Sequence, residues 1–378
     1  MTSSHNSTYS YLLKLLSESL YGNAESAFSL GATLSEKEWQ QVFAEAEKQT
    51  VTGVLFSAVS RLPEMEMPPV SLLATWLAMA HRDNRANASM SNILSATVGN
   101  LQSLGLHPVL QKGHAAARFY PEPQLRACGD IDLWFPGGER AVADNLVRKS
   151  GINVVSTPDN GSCYVSDSTE VEHHSRLIEI HNPFHAGLLK ELNETHPPVK
   201  VNLSATLTVS VPAPIVELIM INAHILKHCL GVGIGLRQFC DYAMAWRALT
   251  LPDPSTGKAA VDPGEYFEIC RRLGIISWTR VLHQFINRYI PAPDGGTAVD
   301  IVEWLEETDT VDKIFMLVAE GGNFGRYSQR RPQRAKQTQW QRKLSTMTAF
   351  FNNRSFVFRL APCEAFWTFT RLLVGQIH

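Results

Sequence analysis

The sequence predicts an α+β fold: a small mixed β-sheet flanked by mainly α-helical N- and C-terminal regions. Three observations carry that expectation. Short apolar or alternating runs of strand length cluster between residues 109 and 181. Ahead of them, residues 9–62 and 71–104 repeat their apolar positions at helical spacing. From Pro214 onward that spacing returns, broken by proline- and glycine-bearing loops at 252–264 and 291–296. The chain thus divides into a helical region 1–103, an α/β core 104–200 and a helical region 201–378.

Taken in order, Ser35 followed by Glu38 marks a capped helix start. A proline-rich joint at 63–69 then precedes a long helix from Ser71 to about Leu104. Pro108-Val109-Leu110-Gln111-Lys112-Gly113 reads as a short strand ending in a glycine turn, with the helix formers Ala115-Ala116-Ala117 behind it. Such a turn directs backbone N–H groups at one point and offers an anion site, with Lys112 at its edge as a phosphate partner.

The run Cys128-Gly129-Asp130-Ile131-Asp132-Leu133-Trp134-Phe135 holds the most informative chemistry. Side chains alternate faces along a strand, so Asp130 and Asp132 share one face while Ile131, Leu133 and Phe135 share the other. Two like charges on a half-buried face repel and resist desolvation unless a cation joins them or one takes up a proton. A divalent metal answers that need, although Asp-x-Asp also fits a solvated pair at a strand end. Downstream, Arg176-Leu177-Ile178-Glu179-Ile180-His181 alternates as a strand and would bring Glu179 in as a third carboxylate. Glu172 is the competing acid. Three carboxylates suit a two-metal site for in-line phosphoryl displacement.

These residues carry a resemblance. Lys112-Gly113, Tyr120-Pro121-Glu122-Pro123-Gln124-Leu125-Arg126, Gly129-Asp130-Ile131-Asp132-Leu133 and Ile178-Glu179-Ile180-His181 look like the bacterial nucleotidyltransferase family of the DNA polymerase beta superfamily, whose members are mostly uncharacterised. Asn222-Ala223-His224-Ile225-Leu226-Lys227-His228 and Gly235-Leu236-Arg237-Gln238-Phe239-Cys240-Asp241 resemble its helical region. The likeness covers roughly residues 104–246. It implies metal ligation by Asp130 and Asp132, a third acid at Glu179, and nucleotide contacts from Lys112, Gly113, His114 and Arg237. It also implies Mg2+ (or Mn2+) as cofactor and a nucleoside triphosphate as substrate. His114 departs from the small residue usual after the glycine, where an imidazole would crowd the phosphates or contact them.

Other features are weaker. His224 and His228 stand at metal-face spacing on a helix, without a third ligand, and read better as residues lining the cleft or the helix surface. Arg237 and Asp241 are spaced for an intrahelical pair. Arg326, Arg330, Arg331, Arg334, Lys336, Arg342 and Lys343, with Tyr327 and Trp340 among them, fit a nucleic-acid patch less well than a solvated face. The segment 363–377 carries apolar residues at helical spacing and reads as a core or packing helix.

At 378 residues the chain can bury a sizeable core. With 19% charged residues and a net charge of −2, nothing draws the whole chain toward nucleic acid or anionic membrane. Its six cysteines lack any Cys-x-x-Cys pair and read as thiols of a reducing compartment. The opening residues lack the blocks of a signal peptide, and the most apolar stretch, 215–236, is interrupted by Glu217, Asn222, His224, Lys227 and His228. A cytoplasmic protein with no membrane partner is expected. The expected activity is metal-dependent transfer of a nucleoside monophosphate from a nucleoside triphosphate to a hydroxyl of a small-molecule or protein acceptor. The alternatives are a catalytically silent nucleotide-binding module and, behind it, an Asp-x-Asp glycosyltransferase.

Overall fold

A computed structural model describes residues 3–23, 26–157, 160–205, 207–230, 233–253, 255–292, 308–323 and 358–374. A seven-stranded mixed sheet lies among them, flanked by helices, as the α+β expectation requires. The basic run from Arg326 to Lys343 lies outside the described residues.

The N-terminal helices are α1 (Ser3–Tyr21), α2 (Glu36–Gln49), α3 (Thr52–Val59) and α4 (Val70–Ser103). Ser35 caps α2, its side chain accepting from the backbone of Glu38 while the Glu38 carboxylate accepts from the backbone of Ser35. Helix α4 holds together because Trp76, Ala80, Asp83, Asn87, Met90, Leu94, Val98 and Leu101 fall at helical intervals along one buried stripe.

The sheet is built from β1 (Val109–Gln111), β2 (Asp130–Trp134), β3 (Val155–Ser156), β4 (Ser162–Ser166), β5 (Thr169–His174), β6 (Val199–Ser204) and β7 (Leu207–Val211), in the order β3-β4-β5-β2-β1-β7-β6. β1 runs antiparallel to β2, pairing Gln111 with Asp132, whereas β5 runs parallel to β2 and pairs Glu172 with Asp132. β7 lies parallel to β1. The sheet therefore continues to Val211, and the expected limit of the α/β core at residue 200 falls inside β6. The Pro197-Pro198 pair precedes a strand because it sits just outside the ladder, where no backbone N–H is needed.

One face of the sheet is apolar. Leu110, Ile131, Leu133, Val171, Val209 and Val211 pack there with Met90, Ile93, Leu94, Val98 and Leu101 of α4 and with Ala143 of α6 (Arg140–Lys149). The opposite face turns toward α8 (Pro214–Leu230) and α9 (Leu236–Thr250), which follow α5 (Gly113–Ala117) and α7 (Ala186–Thr195) in the chain. Beyond them come α10 (Pro263–Arg272), α11 (Ile276–Tyr289), α12 (Thr308–Gly321) and α13 (Pro362–Val374).

Helices from both ends of the chain share one core. Leu12, Leu15 and Leu16 of α1 and Trp39 of α2 belong to the same buried cluster as Phe239 of α9 and Phe285 of α11. Gln49 locks this arrangement, donating to the Val318 carbonyl at 3.0 Å and accepting from the Leu236 backbone N–H at 3.0 Å. Among the described side chains of α13, Ala365 is fully buried while Phe366 is half exposed, as expected of a helix that packs by one face. Among the described residues no helix is long and apolar enough to cross a membrane, and no disulfide links the six cysteines.

Arg118, just past α5, fixes the turn before α5 to α8. Its guanidinium grips both oxygens of the buried Glu217 carboxylate, at 2.7 Å for the Nη1 contact. Removing one partner of such a pair leaves a buried charge unbalanced, at a cost of about 3–5 kcal/mol. Glu217→Ala should therefore lower the urea-unfolding free energy by that amount, and pairing it with Arg118→Met should recover most of the loss. A single-mutant change under about 1 kcal/mol would show that the pair is not a tie between these elements.

Candidate active site

Asp130 and Asp132 project from β2 on the face opposite Ile131 and Leu133, as the strand's alternation requires. Glu172 stands beside Asp132 on the parallel neighbour β5, and His174 follows on the same face. The His174 Nε2 lies 2.5 Å from Asp132 Oδ1 and 3.3 Å from Glu172 Oε2. Asp132, Glu172 and His174 offer ligand atoms that all lie within 4.8 Å of one another.

At the end of β1 the chain reaches Lys112, whose φ of 57° and ψ of −137° form a backbone that L side chains adopt at a cost of about 1–3 kcal/mol. Its ammonium comes within 3.6 Å of Asp132 Oδ1, with both side chains largely buried. Burial alone would lower the lysine pKa. The charges of Glu179, Asp132, Glu172 and Asp130 outweigh it and raise the pKa above the ordinary lysine value.

The two strand aspartates are driven apart. Asp130 is pushed up to about 6, first by the charge of Asp132 and then by burial. Asp132 would also rise through burial, but Lys112 and the His174 hydrogen bond hold it well below the usual carboxylate range. Glu172 is pushed up to about 7 by burial and by Asp132. A face that holds so much negative charge, with an ammonium already drawn to it, has the donor chemistry for a hard divalent cation.

A cavity of about 260 Å³ opens on this face. Lys112, Gly113, Asp130, Asp132, Glu172, His174 and Glu179 line one side, and His224, Lys227, His228, Arg237 and Asp241 line the other. A β-carbon at Gly113 would meet only ordinary contacts, the nearest being Asp130 O at 3.7 Å, so this glycine keeps the wall open and does not relieve a clash.

Glu179 reaches the cavity by a different route from the one expected. The predicted strand through it does not form; β5 ends at His174, and Glu179 sits in the irregular segment that follows. Leu177, Ile178 and Ile180 are buried against the helical core, so the alternating pattern came from a loop pressed onto helices and not from a pleat. The Glu179 carboxylate pairs with Lys227 and lies 2.7 Å from the His224 Nδ1. Burial would raise its pKa, yet Lys112, Lys227 and His224 together hold it well below the ordinary value.

Other expectations change as well. His114 is not among the residues lining the cavity: its Nε2 lies 2.8 Å from the Ser91 hydroxyl on α4, and burial with the nearby Arg126 lowers its pKa to about 4. Asp241 pairs with Arg126, at 2.6 and 3.0 Å, and accepts from the Tyr120 hydroxyl at 2.7 Å. Arg237, which had been expected to take Asp241, donates instead to the Ala127 carbonyl at 2.7 Å. His224 and His228 stack edge to face with ring centres 4.4 Å apart, and His224 serves Glu179.

Three supporting residues escaped the sequence reading. Asn87 of α4 donates to the Gln124 and Arg126 carbonyls, both at 2.9 Å, and accepts from the Cys128 N–H at 3.2 Å, fixing the approach to β2. Glu364 of α13 accepts from the backbone N–H groups of His181 and Asn182 at 2.7 and 3.1 Å, holding the segment that carries Glu179. His174 is the third. Its position two residues after Glu172 was visible, but only the register of β5 on β2 gives it meaning.

The opposed shifts at Asp130 and Asp132 make different demands on the fold. A carboxyl raised in the fold costs stability in full above its folded pKa, and that cost shrinks as pH falls below it and vanishes only near the unfolded value of about 4. In chelator at pH 7.5, Asp130→Asn should melt above wild type, by the equivalent of about 1–3 kcal/mol, and this gain should shrink as pH falls through about 6. Asp132→Asn should melt below wild type, because it strips Lys112 and His174 of their partner. Equal losses in both variants across the pH range would contradict the charge balance described.

The model of a family described as uncharacterised nucleotidyltransferases matches residues 35–272, which include the whole of this cavity wall from Lys112 to Asp241. Among curated proteins none matches. A solved structure, that of an antigenic nucleotidyltransferase-like protein from Paracoccidioides brasiliensis, is distantly similar: 16% identity over 53% of this chain and 92% of its own, with a TM-score of 0.33. With the family match spanning well over half of its residues, the chain belongs to the uncharacterised nucleotidyltransferase family.

Proposed function

We propose that the protein transfers a nucleoside monophosphate from a nucleoside triphosphate to a hydroxyl of a small-molecule or protein acceptor, releasing pyrophosphate, at a site of the DNA polymerase beta type. The observation that carries this reading is the register of β2 and β5, which sets Asp130, Asp132 and Glu172 on one face of a cavity that Lys112 enters from β1. Family membership supports nucleotidyl transfer as the reaction class.

Asp130, Asp132 and Glu172 are the residues that would hold Mg2+ or Mn2+, which when bound neutralises phosphate charge and polarises the transferring group. We assign the third acid to Glu172 and not to Glu179, because Glu172 is the register partner of Asp132 whereas Glu179 is committed to Lys227 and His224. The acceptor oxygen attacks the α-phosphorus, the bond to the β-phosphate oxygen breaks, and pyrophosphate leaves with that electron pair. Glu172 takes the proton of the acceptor hydroxyl on its carboxylate. Lys112 positions the phosphates as a point charge, and Arg237 stands across the cavity as a second cation. Glu179 keeps Lys227 at the wall. Catalysis here is chiefly positioning and charge neutralisation.

The test is incubation with each triphosphate labelled at the α-phosphate, with Mg2+ or Mn2+ and a cell extract, followed by detection of pyrophosphate and labelled acceptor. Asp130→Asn and Glu172→Gln should each lose roughly 10²–10³-fold or more in transfer, while Glu179→Gln loses far less. Lys112→Ala should weaken triphosphate binding while bare-ion binding holds or tightens, because an ammonium 3.6 Å from Asp132 competes with the ion for that carboxylate. Absence of transfer with every nucleotide, or loss confined to Glu179→Gln, would overturn the assignment.

A further inference from the structure

His174 makes this carboxylate face unlike an all-oxygen site. It ends β5 with its side chain 7% exposed, and its Nε2 stands 2.5 Å from Asp132 Oδ1 and 3.3 Å from Glu172 Oε2. Donor atoms about 3 Å apart are the spacing of neighbouring ligands around an ion with bonds of roughly 2.0–2.2 Å. A histidine is not needed merely to offset Asp132, since the Lys112 ammonium already lies 3.6 Å from the same oxygen. The imidazole instead inserts a nitrogen donor between two carboxylates that face each other across a strand pair. Carboxylate and water suit Mg2+, while imidazole shifts a site toward first-row transition ions.

We propose that His174 is an inner-sphere nitrogen ligand alongside Asp132 and Glu172, and that this site takes a divalent first-row transition-metal ion, with Mn2+ bound in preference to Mg2+. This deepens the nucleotidyl-transfer reading and rests on it only for what the ion is used for. When bound, the ion would take the place of the direct Asp132–His174 contact and leave Lys112 to face the phosphates.

Manganese itself is the probe. Mn2+ should be titrated into the nucleotide-free protein by calorimetry, and the bound ion examined by pulsed electron paramagnetic resonance for coupling to a ligand ¹⁴N. Wild type should show nitrogen coupling. In His174→Gln, which keeps a polar side chain but no imidazole, the coupling should vanish, with Mn2+ affinity down by roughly 10–100-fold and Mg2+ affinity changed by less than about threefold. Wild-type Mn2+ without nitrogen coupling, coupling that persists in His174→Gln, or parallel losses for both ions would overturn the proposal. The wild-type spectrum needs no substitution, so a poorly folded variant cannot shelter the idea. Oxygen-only Mn2+ in a protein that still transfers label would sink the nitrogen ligand alone; nitrogen-ligated Mn2+ in a protein that moves no label would sink nucleotidyl transfer alone.

Discussion

Mutual repulsion among Asp130, Asp132 and Glu172 on one buried face of adjacent strands is the constraint around which the rest of the structure is arranged. Strand geometry leaves no alternative: residues two apart share a face, and register partners on a parallel neighbour share it too. The chain answers with Lys112, held in a backbone conformation that an L residue occupies only under strain. Such strain persists where surrounding structure over-determines it, and here the cation is drawn toward four carboxylates at once. A ligand that brings positive charge to Asp130 and Glu172 would relieve the remaining imbalance.

The helices serve that face from both sides. On the apolar side, α4 gives the sheet a buried stripe and uses Asn87 to hold the backbone entering β2. On the charged side, α8 and α9 close the cavity with His224, Lys227, Arg237 and Asp241, while Arg126 and Tyr120 tie α9 to the same approach. The family match ends at residue 272, yet α13 lies beyond it and still holds the backbone beside Glu179 through Glu364. That contact joins a segment outside the matched region to the cavity wall.

What the sequence made legible was local. The Ser35 cap, the long α4, the strand before Lys112-Gly113 and the shared face of Asp130 and Asp132 each depend on residues a few positions apart, and each stands as read. The departures all turn on distant partners. Asp241 finds Arg126 at 115 positions' separation and abandons the helical neighbour that spacing offered. Ile178 and Ile180 flank Glu179 as a strand would, but their burial comes from the helical core, which no local pattern reveals. Glu172 was visible only as a rival third acid, since its place beside Asp132 depends on a parallel pairing across some forty residues of chain. The extension of the sheet through β6 and β7 is likewise a matter of pairing, because their short strands look like little without β1 beside them.

The central claim is that the carboxylates and Lys112 together form a metal–nucleotide site, and the most direct measurement is a crystal structure with Mn2+ and a non-hydrolysable triphosphate analogue, read by anomalous scattering. The account predicts a manganese peak within about 2.0–2.6 Å of carboxylate oxygens of Asp132 and Glu172, with triphosphate oxygens at the Lys112 ammonium. Manganese bound elsewhere, or a nucleotide seated away from Lys112 with these carboxylates still paired only to His174 and lysine, would contradict it.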